Sequence, residues 1–428
     1  MKNADVIIIG AGAAGLMAAY ELSKAGQQVI VLEARNRAGG RIHTLNDTSS
    51  TELGAEFVHG DLPVTLQLLK EVGIEATPAT GEMWFYRNGK FSDDYQQMDD
   101  WGLLMQKLNE LENDISIGDF LQQQFGGDNY AGLRNYVTKY VAGYDTADTF
   151  MASAFALRRE WQNEDDNAQH RVKGGYSQMI SYLVNECENN GVQLFLNSVA
   201  KNIHWTHGLV EVLTADAMSY KAVKLIIALP LGVLKAEASQ KGAVHISPSV
   251  SQYQQAIGQI GFGAIVKLLL EFKTAFWTDK AIAEVDLKDM GFILSDEEVP
   301  TWWTQHPMHS TLLTGWLGGP PAERKKGLTD EELLQKGLQS LANIFKLNPD
   351  VLKNNLVTWH VVNWTTDPFT RGSYAYDTVE SAEARKILTT PINYTIYFAG
   401  EYLYDGPAMG TVEAALTSGL ETAKEILD

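Results

Sequence analysis

Apolar positions at the start of the chain form a block, a helical stripe and a second block. Val6 to Ile9 follow Asp5 without a polar interruption, the pattern of a strand buried on both faces of a parallel sheet. Gly10-Ala-Gly12-Ala-Ala-Gly15 then turns the chain into a predicted helix over 16–25, and Gln28-Val-Ile-Val-Leu32 predicts the next strand. Glu33 closes that strand, eighteen residues past Gly15. Each glycine has its own task. Gly10 makes the tight turn, Gly12 lets the backbone approach a pyrophosphate, and Gly15 lets the helix lie close to the sheet. The helix then presents free N–H groups and its positive end to the phosphates, and Glu33 is placed for a ribose diol. Strand, glycine turn, helix and acidic stop in this order predict a dinucleotide-binding unit.

The next stretch, Glu33-Ala-Arg-Asn-Arg-Ala-Gly-Gly-Arg41, uses Gly39 and Gly40 to wrap the chain close to a cofactor and sets Arg35 and Arg41 in reach of its pyrophosphate. From 62 to about 159 the pattern predicts mainly helix. The polar stretch from Gln96-Gln97 to Asp99-Asp100 reads as a loop, and Glu164-Asp-Asp166 as a solvated charge run. Short strands return at 192–196, 209–213 and 224–229, and 246–357 mixes strand with helix. A further buried strand is predicted at 394–400, leading to a closing helix over 411–427. Ala264-Ile-Val-Lys-Leu-Leu-Leu270 is apolar except at Lys267. Burying an ammonium there costs on the order of several kcal/mol unless it is solvated or partnered. Lys267 is therefore a candidate functional group, the alternative being an edge strand with the lysine in water.

At 428 residues the chain exceeds one compact core. The expected class is α/β, with a discontinuous Rossmann-like domain at 1–75, 165–240 and 385–428. An inserted α+β substrate domain occupies 76–164 and 241–384. Lys plus Arg number 34 against 53 Asp plus Glu, a net charge of −19. That argues against nucleic acid or an anionic membrane as partner and suits a cationic small substrate. The single Cys187 excludes an intrachain disulfide and fits a reducing compartment. With no apolar run of membrane-spanning length and no signal-peptide pattern, a soluble, cytoplasmic protein is expected. His204 with His207, and His306 with His309, have HxxH spacing but lack an HExxH context, so no metal is expected.

Taken together, these segments resemble the flavin-dependent amine oxidase family, which includes monoamine oxidases, polyamine oxidases and the flavin histone lysine demethylases. The resemblance runs through the glycine turn and Glu33, the arginine-rich segment to Arg41, Glu52-Leu-Gly-Ala55 and Ala228-Leu-Pro-Leu-Gly-Val-Leu234. It continues in Gly261-Phe-Gly-Ala-Ile-Val-Lys267, Trp364 to Tyr374 and Phe398-Ala-Gly-Glu401. It implies a GR2-type FAD domain and oxidation of an amine to an imine, with dioxygen reoxidising the flavin to give peroxide. In addition to the residues above, it implies cofactor contacts at Val199, Trp364, Gly400, Glu401, Thr411 and Val412.

The same resemblance assigns roles in catalysis. Lys267 matches the lysine that holds a water bridging to flavin N5. Tyr374 looks like the aromatic wall before the flavin, where an aromatic face favours a cationic amine by about 0.5–2 kcal/mol. Some relatives attach the flavin to a cysteine just before this tyrosine; Ser373 stands there, so noncovalent FAD is expected. Thr411 occupies the place of a second wall tyrosine and opens the pocket. Glu56, Phe57 and His59 fall beside the active site, with Glu56 or His59 as receiver of a remote substrate ammonium. Trp302, Trp303 and Trp316 line an entrance or fill core. No insertion suits a histone-binding tower. Two other readings stand beside this one: an L-amino-acid oxidase, for which Arg371 is the nearest carboxylate partner, and a non-catalytic flavin redox sensor.

Overall fold

A computed structural model describes residues 2–46, 50–60, 62–93, 100–163, 169–406 and 408–428. The loop expected at Gln96-Gln97 and Asp99 and the charge run Glu164-Asp-Asp166 lie outside the described residues. The chain forms two compact units: Met1–Thr77, Arg159–Phe262 and Asp367–Asp428 make the first, and Pro78–Arg158 with Gly263–Thr366 the second.

The first unit is built on a doubly covered sheet in the expected α/β manner. Lys2–Ile9 pairs in parallel with Val29–Leu32 on one side and Ser219–Ile227 on the other. Gln193–Phe195 extends the parallel order beyond Val29–Leu32. Ser219–Ile227 changes partner along its length. Its first half pairs antiparallel with Leu209–Thr214, and Leu225 to Ile227 pair in parallel with Ile396–Phe398. Where both faces are covered the parallel strands are apolar: Val6 to Ile9, Val29–Leu32, Leu225 to Ile227 and Ile396–Phe398. Met17, Ala18 and Leu22 of the helix Ala13–Lys24 fill one side with Leu416 and Ala423 of the closing helix Val412–Leu427. Gly419 allows that closeness: a Cβ there would collide with the Ala14 carbonyl oxygen.

Compared with the sequence-based division, 241–262 and 367–384 fall in the first unit rather than with the substrate domain. Gly261–Phe262 pairs antiparallel with Ala375–Tyr376, and Ala256 and Ile257 share a core with Ala384 and Leu388. These are pairings between segments more than a hundred residues apart, which a local pattern does not carry.

The second unit has a seven-stranded sheet in the order Leu356–Val362, Ile265–Phe272, Leu312–Gly318, Thr301–Trp303, Met290–Ser295, Glu82–Arg87, Lys90–Ser92. The strands at 82–87 and 90–92 correct the mainly helical expectation for 62–159. Glu82–Arg87 is Met-Trp-Phe-Tyr at its centre, an aromatic-rich strand composition, and it pairs in parallel with Met290–Ser295. Helix Asp330–Phe345 packs Leu334, Leu338 and Leu341 onto one face of this sheet.

Candidate functional site

The three glycines of the turn differ in what surrounds them. A Cβ on Gly15 would collide with the Gly10 carbonyl oxygen, and one on Gly10 would lie 2.5 Å from the Ala228 oxygen. Gly10 also holds φ at +106°, in the glycine-favoured region. A Cβ on Gly12 would meet nothing within 4 Å. Gly12 is the N-cap of Ala13–Lys24 and provides no side-chain cap, so the first turn of that helix opens onto free space. Gly39 donates its N–H to the Ala11 carbonyl at 2.8 Å, bringing Gly40 beside Gly12.

Two arginines, Arg35 and Arg37, stand by this loop with Glu33 and Asp367 as counter-charges. Arg37 clasps the glycine loop, donating to the carbonyl oxygens of Ala38, Gly40 and Ile42 at 3.2, 2.9 and 3.1 Å. Burial and then Arg35 lower its pKa to about 10, and burial followed by Arg37 and Arg35 lowers His43 to about 4. Glu33 is 5% exposed and accepts from Ala11 N at 2.9 Å and Arg35 N at 2.8 Å; burial raises its pKa, against the pull of those two amides. The main chain at Glu33 and Arg35 receives N–H bonds from Ser198 and Asn197, which sets Val199 next to the acidic stop. Arg35 has a protein partner in the same unit. Its guanidinium grips Asp367 at 2.9 and 2.6 Å and donates to Thr370 at 2.9 Å.

Arg41 performs a related task further along. Its Nη1 donates to the Ser373 carbonyl and to Glu401 Oε1, each at 2.8 Å, while Glu401 Oε2 accepts from Ala375 N at 3.2 Å. Tyr374 is thus held between two anchored neighbours. Its ring lies against Gly410, where a Cβ would sit 2.9 Å from Tyr374 Cδ2. Gly400 donates to Ser418 Oγ at 3.0 Å, fixing Glu401 relative to the closing helix. Thr411 is the N-cap of that helix: its hydroxyl accepts from Ala414 N at 3.2 Å and donates to the Ala408 carbonyl at 2.6 Å. Val412 is the first helical residue, half-buried.

Glu56 forms a buried pair with Arg171 at 3.1 Å, and the Arg171 guanidinium lies 4.6 Å from the Phe57 ring centre. Its charge thus has a partner within the protein. His59 packs 5.7 Å from Phe57, and burial lowers its pKa to about 4, so the imidazole is neutral at physiological pH. Arg371 donates to the Lys241 carbonyl at 2.7 Å.

In the second unit, Lys267 lies on an internal strand between Trp316 and Val362, not on an edge, and is 1% exposed. Val266, Leu268 and Leu270 alternate to the helix-covered face; Lys267 takes the other, with its ammonium 5.5 Å from the Trp303 ring centre. Trp303 and Trp316 are 5.8 Å apart. Trp302 points the opposite way into the core, where Gly315 and Gly337 make room for its ring. Trp364, 7% exposed, follows Leu356–Val362 in the same unit. Among the described residues no group of three or more His, Cys, Asp or Glu could hold a metal ion, and no helix is long and apolar enough to cross a membrane.

Sequence reasoning missed Arg37, Asp367 and Glu413. Glu413, on the closing helix, accepts from Val64 N, Thr65 N and Thr65 Oγ1 at 2.9, 2.7 and 2.7 Å, capping the helix Pro63–Val72 across the unit. The sequence carries no signal for such a partner 349 residues away.

Comparison with known proteins agrees with this geometry. Human lysine-specific histone demethylase 2 is 28% identical over 461 residues, covering 99% of this chain and 53% of the relative. A demethylase homologue of Arabidopsis thaliana is 26% identical over 99% of this chain and 30% of its own length. The chain thus spans about a third to a half of these relatives. Polyamine oxidase 4 of Oryza sativa subsp. japonica is 26% identical over 98% of this chain and 88% of the relative. A putrescine oxidase solved with putrescine has the same fold, with a TM-score of 0.80 at 23% identity over 99% of both chains. The model of the family of flavin containing amine oxidoreductases matches residues 13–427. Because that match runs from the first helical residue of the glycine turn to the last residue of the closing helix, the chain belongs to the flavin containing amine oxidoreductases.

Proposed function

We propose that this chain oxidises a primary or secondary amine, using FAD held without a covalent bond. When bound, FAD would take a hydride equivalent from the amine α-C–H while the amine nitrogen sheds a proton, leaving the imine; the two electrons and two protons would then go to dioxygen, giving hydrogen peroxide. Gly12, Gly40 and the first turn of Ala13–Lys24 would seat the pyrophosphate, with Glu33 at a ribose and Val199 beside it. Ser373 leaves no thiol for a thioether.

One observation carries the reading: Tyr374 is locked on the cofactor unit by Arg41 and Glu401 through both of its neighbours. An aromatic face held this firmly orients an amine and excludes water from it. Lys267, buried against Trp303, would supply an ammonium able to hold a water. Thr411 has committed its proton to Ala408, so it would act by holding the first turn of the closing helix, whose positive end would favour negative charge on the flavin. The single cysteine suits a cytoplasmic setting.

The test is an anaerobic spectrum of the purified protein while spermidine, phenethylamine and single L-amino acids are added in turn. Bleaching by an amine, with peroxide on readmission of air, is expected. Bleaching by amino acids alone would replace the proposal with the amino-acid oxidase reading, and a flavin bleached by nothing would overturn it.

A further inference from the structure

A buried charge network in the first unit lies apart from the cofactor turn and plays no part in the account above. Arg385, on the helix Ser381–Thr389, forms a two-pronged pair with Asp377, through Nη1 to Oδ1 and through Nη2 to Oδ2 at 2.9 Å. Both side chains are about as buried as the surrounding core, 6% and 5% exposed. Arg159 extends the network outward, 3.7 Å from Asp377 and 3.2 Å from Asp405. Arg385 Nη1 also lies 3.5 Å from the Met409 sulfur.

The placement of these contacts gives them meaning. Asp377 is three residues after Tyr374, and Met409 immediately precedes Gly410, the residue under the Tyr374 ring. One guanidinium therefore bridges the two segments whose separation sets where that ring lies. Apolar side chains would fill the same volume without the desolvation penalty of two buried ions. What an apolar pair would lack is the fixed fork geometry of guanidinium on carboxylate.

We propose that Arg385 is a positioning residue for Tyr374: paired with Asp377 and seated on Met409, it fixes the ring over Gly410 and so controls turnover more than cofactor retention. This rests on Tyr374 being the aromatic wall of the amine oxidase proposed above.

The experiment is a double-mutant cycle on the FAD-loaded full chain. Arg385→Met is expected to lower kcat about tenfold, a loss typical of a small misplacement of a positioned group, with FAD still bound at full occupancy. In a Tyr374→Ala background the same change should have no further effect on kcat, because the group it positions is gone. Arg385→Lys keeps the charge and loses the fork, so it should recover only part of the rate. If Arg385→Met does not fold, Arg385→Lys carries the cycle. Near-ultraviolet circular dichroism gives a substrate-free readout: the Tyr374 signal should shift in the Arg385 variant and be absent in both Tyr374→Ala proteins. Additive losses in kcat, or an unchanged Tyr374 signal, would overturn the proposal. A wild-type protein that oxidises no amine, with the dichroism still coupled, would instead overturn the function and leave the positioning intact.

Discussion

Gly12→Ala separates folding from cofactor binding. Gly12 has φ −79° and ψ −178°, extended backbone open to any residue, and an added Cβ meets nothing within 4 Å. Alanine is a poorer N-cap than glycine by about 0.5–1 kcal/mol, while the stiffer unfolded chain returns about 0.4–1 kcal/mol. The apo-protein should therefore keep its stability to within about 1 kcal/mol, a small part of the roughly 5–15 kcal/mol typical of a domain. The new methyl would occupy the space in front of the helix, where a pyrophosphate would make charge-assisted bonds worth about 1.5–3 kcal/mol each. Losing the equivalent of two weak ones removes about 3 kcal/mol, or roughly a hundredfold in Kd. Flavin fluorescence titration of apo-protein gives Kd, and urea denaturation gives stability. Gly15→Ala is the contrasting control: its Cβ would strike the Gly10 carbonyl, so it should impair folding itself. A Gly12→Ala protein that binds FAD with wild-type affinity would refute the placement of the phosphates at this turn.

Two further outcomes follow from the same geometry. Lys267→Met replaces a buried ammonium by an apolar chain of similar length, flanked by Ile265, Val266, Leu268 and Leu269, so the fold should survive while flavin reduction or reoxidation slows at least tenfold in stopped-flow traces; unchanged rates in both would remove its assigned role. His43 and His59 are held at about 4 in the folded chain against 6.5 unfolded, so the unfolded chain takes up their protons first. Stability should be full above pH about 6.5 and fall towards pH about 4, and His59→Gln should flatten part of that slope in thermal melts; a melt profile identical to the wild type would contradict it.

What could be read from the sequence follows distance along the chain. Gly10, Gly12, Gly15 and Glu33 lie within one supersecondary unit, so their spacing carries their geometry, and the structure gives each glycine distinct surroundings. Lys267 was conspicuous because its neighbours were apolar. Arg35 was legible as a cation near the turn, but its partner Asp367 is 332 residues away and no local pattern names it. The partner of Glu56 was hidden for the same reason: its carboxylate pairs with Arg171, which nothing in Glu52-Leu-Gly-Ala55 announces. Glu82–Arg87 was passed over because the flanking segments are helical and six residues give too short a window for periodicity.

Ser219–Ile227, with its change of partner midway, bears on how the protein is made. Its parallel neighbours are Lys2–Ile9 and Ile396–Phe398, drawn from opposite ends of the chain. During synthesis at roughly 5–20 residues per second, Lys2–Ile9 can meet Val29–Leu32 early, but its other neighbour Ser219–Ile227 is made far later and Ile396–Phe398 later still. Contacts of such sequence separation form slowly, because the loop must close before the pairing rewards it. The phosphate turn is therefore made well before the sheet around it is complete. Until Ser219–Ile227 and Ile396–Phe398 are in place, the apolar half of Lys2–Ile9 has one open side that calls for protection.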